Sequence, residues 1–426
     1  MASPSSEQVD DPRPGLLHDS EFLKLWVGQS LSQIGAQVTF LAVPLAAVLV
    51  LHASAAEMGV LSALVRLPMV GFLLFGVLVD RVRKRPVLIW SDIGRAAVLL
   101  LIPLLYFADM LTMAVIYVVV FVLGVLSVLF QVAYRTYIPH LVPREHLADG
   151  NSKLQMSESV AQALGPGLVG GLIKVVSAPV LIIIDIVTYL ISAVACWLIR
   201  TPEERPAPDD DVRSVYKAVW EGYQWVMRQP LVRPLAIGTA FYSFFIMGAM
   251  QSIFVLYLLK GGPNLDAAWV GVITATGGAG AILGAGLAIR VTKRLGIGPT
   301  LLWSTVIGNC ALFLVPLAVR PVGLAVAMLA VSQFVVWACN QIFIVNNLTL
   351  VQSVTPMPMI GRILATIFSL GLIPAPLGAL GAGLLGEWLG LRTAIFIAIL
   401  VGALVPILAL ARSPIPKLKE IPDPVS

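Results

Sequence analysis

Apolar stretches long enough to cross a membrane alternate along the chain with short polar breaks. A helix needs about 20 consecutive apolar residues to span a hydrocarbon core ~30 Å thick. Twelve such stretches can be marked, and the first six cover 24–50, 58–79, 87–107, 113–134, 152–173 and 179–199. The other six cover 234–258, 268–289, 299–319, 322–346, 362–385 and 393–411. Backbone groups in lipid must be satisfied within their own segment, so runs of this length predict helices rather than open strands. One long polar stretch, 200–230, separates the two sets and carries Pro202, Pro206, Pro208 and Asp209 to Asp211. Its latter part places Val215, Val219, Tyr223 and Val226 at helical spacing, which predicts a short amphipathic helix on the membrane surface.

Charge orients the array. Only 12% of the 426 residues are charged and the mean hydropathy is +0.92, against about 25% charged in a soluble domain. The net charge of +5 could suggest nucleic acid, but the cations sit at the ends of apolar runs, so no nucleic-acid partner is expected. With even-numbered spans ending inside, 22 of the 28 Lys and Arg fall in cytoplasmic segments and 4 outside, while Arg66 and Arg95 lie within spans. That bias predicts a multi-pass protein of the cell membrane with both termini in the cytoplasm. Residues 1–21 and 412–426 then form cytoplasmic tails, 22–199 and 231–411 form six-helix bundles, and 200–230 is a cytoplasmic linker. The polar start lacks the apolar core of a cleavable signal. Cys196, Cys310 and Cys339 lie singly in apolar runs and the four histidines are scattered, so no disulfide framework, metal site or cofactor is expected.

Between the second and third spans the chain reads Gly76-Val-Leu-Val-Asp80-Arg81-Val-Arg-Lys-Arg85, four cations and a carboxylate with almost no loop to hold them. This resembles the signature between helices 2 and 3 of the major facilitator superfamily. The resemblance implies an all-α membrane protein of twelve transmembrane helices in two pseudo-symmetric six-helix bundles, with a site at their interface. It also implies a gating role for this motif: Gly76 for close helix approach, Asp80 as a carboxylate for a helix N-terminus or an arginine, Arg81 and Arg85 as its cationic partners. The second set echoes the first, since Gly286, Arg290, Lys293 and Arg294 end span 8 as Gly76, Asp80, Lys84 and Arg85 end span 2. Pro356 likewise follows span 10 as Pro143 follows span 4. The loop from Tyr137 to Asn151, with Pro139, Leu141, Val142, Pro143, Arg144 and Glu145, is similar to the branch holding macrolide-efflux proteins and the enterobactin exporter. Span 6, with Ala178, Pro179, Asp185 and the exit Arg200-Thr-Pro202-Glu203, is similar to the same branch.

Span 5 carries Gly165-Pro166-Gly167-Leu-Val-Gly170-Gly171, which resembles the antiporter signature, a kink followed by paired glycines. Span 11 is equally bendable, with Gly371, Pro374, Pro376, Gly378 and Gly381. One departure stands out: if Gly124 matches the glycine of the drug-antiporter span 4, the arginine expected four residues earlier is Val120. Proton handling through that arginine is therefore not expected here.

Amides are costly against lipid, so Gln29, Gln33 and Gln37, at i, i+4 and i+8 of span 1, should face other helices or a cavity. The resemblance implies that spans 1, 4, 7 and 10 line that cavity. Its candidate residues are then Gln33, Gln37, Gln131, Tyr242, Gln251, Gln333, Trp337 and Asn340, with Arg66 near the midplane of span 2. Aromatics with neutral amides suit an amphiphilic organic molecule, although interhelical bonds of ~0.6–2 kcal/mol each would use the same residues. Glu158, ~9 Å inside the inner edge, and Asp185 are the candidates for proton coupling, because a carboxyl exchanges its proton as burial and nearby cations change. Asp92 and Arg95, three apart in span 3, suit a local ion pair.

These expectations converge on a secondary active exporter of small amphiphilic compounds, an antibiotic, natural product or siderophore, running as a monomer by proton antiport with alternating access. An importer of the same fold uses the same features. A membrane enzyme is disfavoured, since no span contains a histidine and no nucleophile is matched with a base. A receptor would carry a signalling domain, and ATP drive a nucleotide-binding loop, neither of which the sequence displays.

Overall fold

The computed structural model describes residues 16, 19–142, 146–201, 203, 212–319, 321–356 and 359–420, with backbone alone at 73, 77, 80, 148 and 212–219. Among the described residues the chain is helical throughout, without a strand. Before the linker come α1 (Ser20–Leu49), α2 (Ala55–Val70), α3 (Phe72–Asp80), α4 (Lys84–Phe107), α5 (Met113–Leu141), α6 (Leu147–Leu172) and α7 (Ala178–Trp197). The linker supplies α8 (Val212–Arg228). Next, α9 (Val232–Tyr242) runs through a π-helical segment, Ser243–Met250, into α10 (Gln251–Leu256). Then follow α11 (Ala267–Leu295), α12 (Ile297–Leu312), α13 (Leu314–Leu317), α14 (Val322–Ser353), α15 (Ile360–Leu372), α16 (Pro374–Leu389) and α17 (Leu391–Ala411).

Among the described residues ten helical stretches are long and apolar enough to cross a membrane. The two remaining expected spans fall on α2 with α3 and on α6. The first is interrupted at Gly71, just after Pro68. The second carries Asp149, Lys153 and Glu158 in its first half, which lowers its hydropathy. Large apolar side chains such as Trp90, Phe107, Val118 and Trp388 stand exposed around the molecule, a surface that only lipid can cover at this extent.

Local chemistry sets the helix ends. The Asp19 carboxylate accepts from the Glu21 and Phe22 amides at 2.9 and 3.4 Å and starts α1. Ser54 and Glu57 exchange bonds of 3.2 and 2.8 Å in a capping box that starts α2. Gly296 and Gly390 take φ of +88° and +84° between paired helices, conformations that L side chains rarely adopt.

Helices before the linker pack chiefly on one another, α1 against α6 and α7, α4 against α5 and α7, α2 against α5. Those after it do likewise, α14 against α11 and α12, α17 against α9 and α12, α16 against the π-helical segment. Two seams join the sets, α2 with α16 and α6 with α11. Both are made of glycine. A Cβ on Gly59 would meet Ala379 O and Gly383 Cα at 2.7 and 2.9 Å, and one on Gly170 would meet Ala268 O at 2.8 Å. Gly271 faces Gly170 and Pro166 O in return, and about two turns further on Gly278 faces Ala163. Lipid tails are as apolar as leucine, so such close backbone approach, rather than apolar burial, is what holds helices together in a membrane.

The seams have one closed end. At the end away from the linker a single apolar core runs through both sets, from Val38, Leu45 and Ile116 to Ile246, Tyr257 and Ile395. At the linker end the core divides in two, Phe22, Leu88 and Tyr137 on one side, Val226, Leu301 and Ile363 on the other. Beyond Ala163 and Gly278 the seam helices present exposed Met156 and Val160 on α6 and exposed Ile282 and Ile289 on α11. Side chains at Gly76 or Gly286 would meet nothing within 4 Å. A crevice therefore opens toward the linker and is sealed at the opposite end.

Candidate substrate pathway

Toward the closed end of this crevice a side-chain hydrogen bond joins the two sets. Arg66, on α2, donates through Nη2 to Gln251 Oε1 of α10 at 3.2 Å, and through Nη1 to the carbonyl of Ser62 at 3.2 Å and to its hydroxyl. The guanidinium is thus held by neutral acceptors rather than by a carboxylate. Further along the crevice Glu158 is partly exposed on α6. It accepts from the amides of Gln155 and Gln162 at 3.4 Å each, and among the described residues no cation stands within ion-pair distance of it.

On α1, Gln33 and Gln37 are half-buried, and Gln37 packs on Gly165, the first glycine of the span-5 motif. Gly165 thus lets α1 approach α6, whereas Gly170 serves the seam to α11. Gln131 is half-buried on α5 without a side-chain hydrogen bond in the structure. Gln333 accepts from Trp337 Nε1 at 3.1 Å along α14, and the indole lies on Gly277 of α11. Tyr242 and Asn340 line a cavity inside the second set, bounded by α9, α12, α14 and α17.

Asp185 does not reach the crevice. It is 0% exposed in the core of the first set, accepts from the Thr188 hydroxyl at 3.4 Å and abuts Gly35. Nearby, Asp92 pairs with Arg95, whose guanidinium lies 4.2 Å from the ring centres of both Phe130 and Tyr189. Two carboxylates and one arginine, clamped by aromatic faces, thus share the centre of this half.

At the linker end the motif residues are deployed as caps. Arg85 donates through Nε to Cys196 O at 3.1 Å and through Nη2 to Trp197 O at 2.5 Å, closing the carboxyl end of α7. Glu203 reciprocates, accepting from the Lys84 and Arg85 amides at 2.5 and 3.0 Å and closing the amino end of α4. Both placements match the helix dipole. The Arg-Thr-Pro-Glu exit is visible in the sequence, but its partner is not, because the two ends are more than a hundred residues apart. Arg81 closes α3 and is exposed. The side chain of Asp80 lies outside the described residues, as do Pro143, Arg144 and Glu145 of the loop motif. The linker helix α8 packs on α15, with Arg362 donating to Glu221 at 2.8 Å.

The family model described as Major Facilitator Superfamily matches residues 25–379. The chain belongs to the major facilitator superfamily. Among curated superfamily relatives it is 26% identical over 401 residues to the uncharacterized MFS-type transporter YfiS of Bacillus subtilis (strain 168), covering 90% of this chain and 91% of that protein. It is 25% identical over 378 residues to the multidrug efflux pump Tap of Mycolicibacterium fortuitum, covering 87% and 90%. Its fold is similar to the crystal structure of the nucleoside transporter NupG, with a TM-score of 0.72 at 13% identity over 92% of this chain and 98% of that one. A bacterial homologue of the iron transporter ferroportin, in an inward-facing state, gives a TM-score of 0.66 at 16% identity over 92% and 99%. The protein is a superfamily transporter, not an enzyme.

Proposed function

We propose that the chain is a secondary active exporter of small amphiphilic compounds, driven by proton antiport and working by alternating access. The observation that carries this reading is the divided core: one apolar core at the sealed end and two at the linker end, with a crevice between them. Such an arrangement has an obvious second state, in which the linker ends meet and the glycine seams part. In this reading α2–α3 and α6 complete twelve spans in two six-helix bundles, residues 22–199 and 231–411. The linker end, with both termini, is cytoplasmic, as the concentration of Lys and Arg there supports.

Gln33, Gln37, Gln131, Gln333 and Trp337 contact the substrate, Arg66 and Gln251 bridge the halves above it, and Glu158 exchanges the proton. Gly76, Asp80, Arg81 and Arg85 act when the linker ends close, and Gly165, Pro166 and Gly170 let α6 swing. Similarity to a multidrug efflux pump favours export over import. Cells expressing the protein should retain less of a lipophilic dye such as ethidium than cells expressing an Asp80→Asn variant, and an uncoupler should erase the difference. Export that survives the uncoupler but stops on ATP depletion contradicts the proposal.

A further inference from the structure

The cavity within the second set has a volume of about 270 Å³, and its whole lining comes from α9 onward. Among the described residues its lining includes no Asp, Glu, Lys or Arg. Apolar walls from Leu235, Val336, Phe343 and Pro406 surround three asparagine side chains, Asn309, Asn340 and Asn347.

These asparagines are not explained by helix packing. Asn346, the neighbour of Asn347 on α14, shows what packing asks of an amide: it accepts from the Thr292 hydroxyl at 2.7 Å and donates to Ile342 O at 2.8 Å. On the cavity face, Asn309 is only 4% exposed, yet its Nδ2 is buried without a protein partner. Asn347 Oδ1 is buried in the same condition, and among the described residues half-buried Asn340 makes no side-chain hydrogen bond. Unpartnered buried amides are rare and costly, each by ~1–3 kcal/mol. Asn340 and Asn347, seven apart, share one face of α14 and look toward Asn309 of α12 across the cavity. The π-helical segment begins beside them, where the Ser243 hydroxyl donates to Gly371 O, and both of these residues line the cavity too. Such segments recur at functional sites.

We propose that this cavity is a binding site for a small neutral amphiphile that carries both a hydrogen-bond donor and an acceptor, held by Asn309, Asn340 and Asn347. Neutrality follows from the lining, where no charged side chain could balance an ion. The need for both kinds of polar group follows from amides, each of which offers both. Size is bounded as well, since 270 Å³ lies just below the ~300–1000 Å³ that holds drug-sized ligands. One or two fused rings with a single amide or similar group would fill it.

Cys339 lines the same cavity and reports on it. The full-length protein in lipid nanodiscs is treated with N-ethylmaleimide, and alkylation of Cys339 is followed by mass spectrometry, with exposed Cys310 as the internal control. The probe is 1-naphthamide, compared with naphthalene and 1-naphthoate. At about ten times its Kd, 1-naphthamide should slow Cys339 alkylation about ten-fold by mass action and leave Cys310 unchanged. Asn309→Leu and Asn340→Leu should each abolish that protection, and the two comparators should protect far less. Should Cys339 resist alkylation, retention of tritiated 1-naphthamide by the purified protein, and its loss in the same variants, tests the site equally well. Absence of protection and of retention, protection unchanged in both variants, or equal protection by 1-naphthoate overturns the proposal.

Discussion

Single side chains divide by whether the fold or the crevice owns them. Arg95 belongs to the fold. Removing one partner of a buried pair leaves the other charge uncompensated, at ~3–5 kcal/mol, whereas replacing both with apolar residues of similar volume is near neutral. Arg95→Leu should therefore lower the thermal unfolding midpoint in detergent sharply, and Arg95→Leu combined with Asp92→Leu should recover most of the loss. Equal destabilisation by single and double variants would contradict this account of the pair. Glu158 belongs to the crevice, with only two weak amide donors. Glu158→Gln keeps its shape and cannot titrate, so dye export and its pH dependence should disappear while dye binding, read by fluorescence, survives. An unchanged pH profile would make Glu158 structural.

Helices carry the next level of constraint, and here the seams decide. Gly271 packs directly on Gly170 and Pro166 O, so a side chain there cannot be accommodated while the seam is closed. Gly271→Val should hold the sealed end apart, and export should fall at least ten-fold with expression preserved, a change of about 1.4 kcal/mol or more in the balance of the two states. Gly76→Val should do the reverse: nothing stands within 4 Å of a Cβ there in this conformation, and in the proposed cycle it should obstruct closure at the linker end. Both variants lose transport, and thiol labelling at the two ends distinguishes them, with Gly271→Val more reactive at the sealed end and Gly76→Val at the linker end. Labelling patterns like that of the unmodified protein in both would contradict the glycine account.

Much of this architecture is legible in the sequence, because lipid forces each span into a helix and charge marks its ends. The Asp92–Arg95 pair is legible for the same reason, since i and i+3 share a helix face. Other features depend on which helices meet, and spacing along one helix says nothing of that. Gly165 and Gly170 sit in one motif but serve different neighbours, α1 and α11. Tyr242 and Asn340 are candidates by span number, but the cavity they share with Asn309 of α12 appears only in the fold. Asp185 is a membrane carboxylate by its place in the chain and a sealed core residue in the fold. The mutual capping of α4 and α7 by Glu203 and Arg85 joins two segments that only folding brings together.

Taken as one body, the transporter is a pair of helical sets joined at a closed end, and the proposed cycle moves the crevice from one end to the other. Spin labels placed in pairs on α6 and α11, in a variant with its three cysteines replaced by serine, read that movement. Met156 with Ile289 reports the linker end, and Val175, just beyond α6, with Trp269 reports the sealed end; all four are exposed. On acidification in the presence of an exported dye, the Met156–Ile289 distance should shorten while the Val175–Trp269 distance lengthens, and Glu158→Gln should suppress both changes. Two distances that stay constant across pH and dye, in a protein that still transports, would contradict alternating access through these seams.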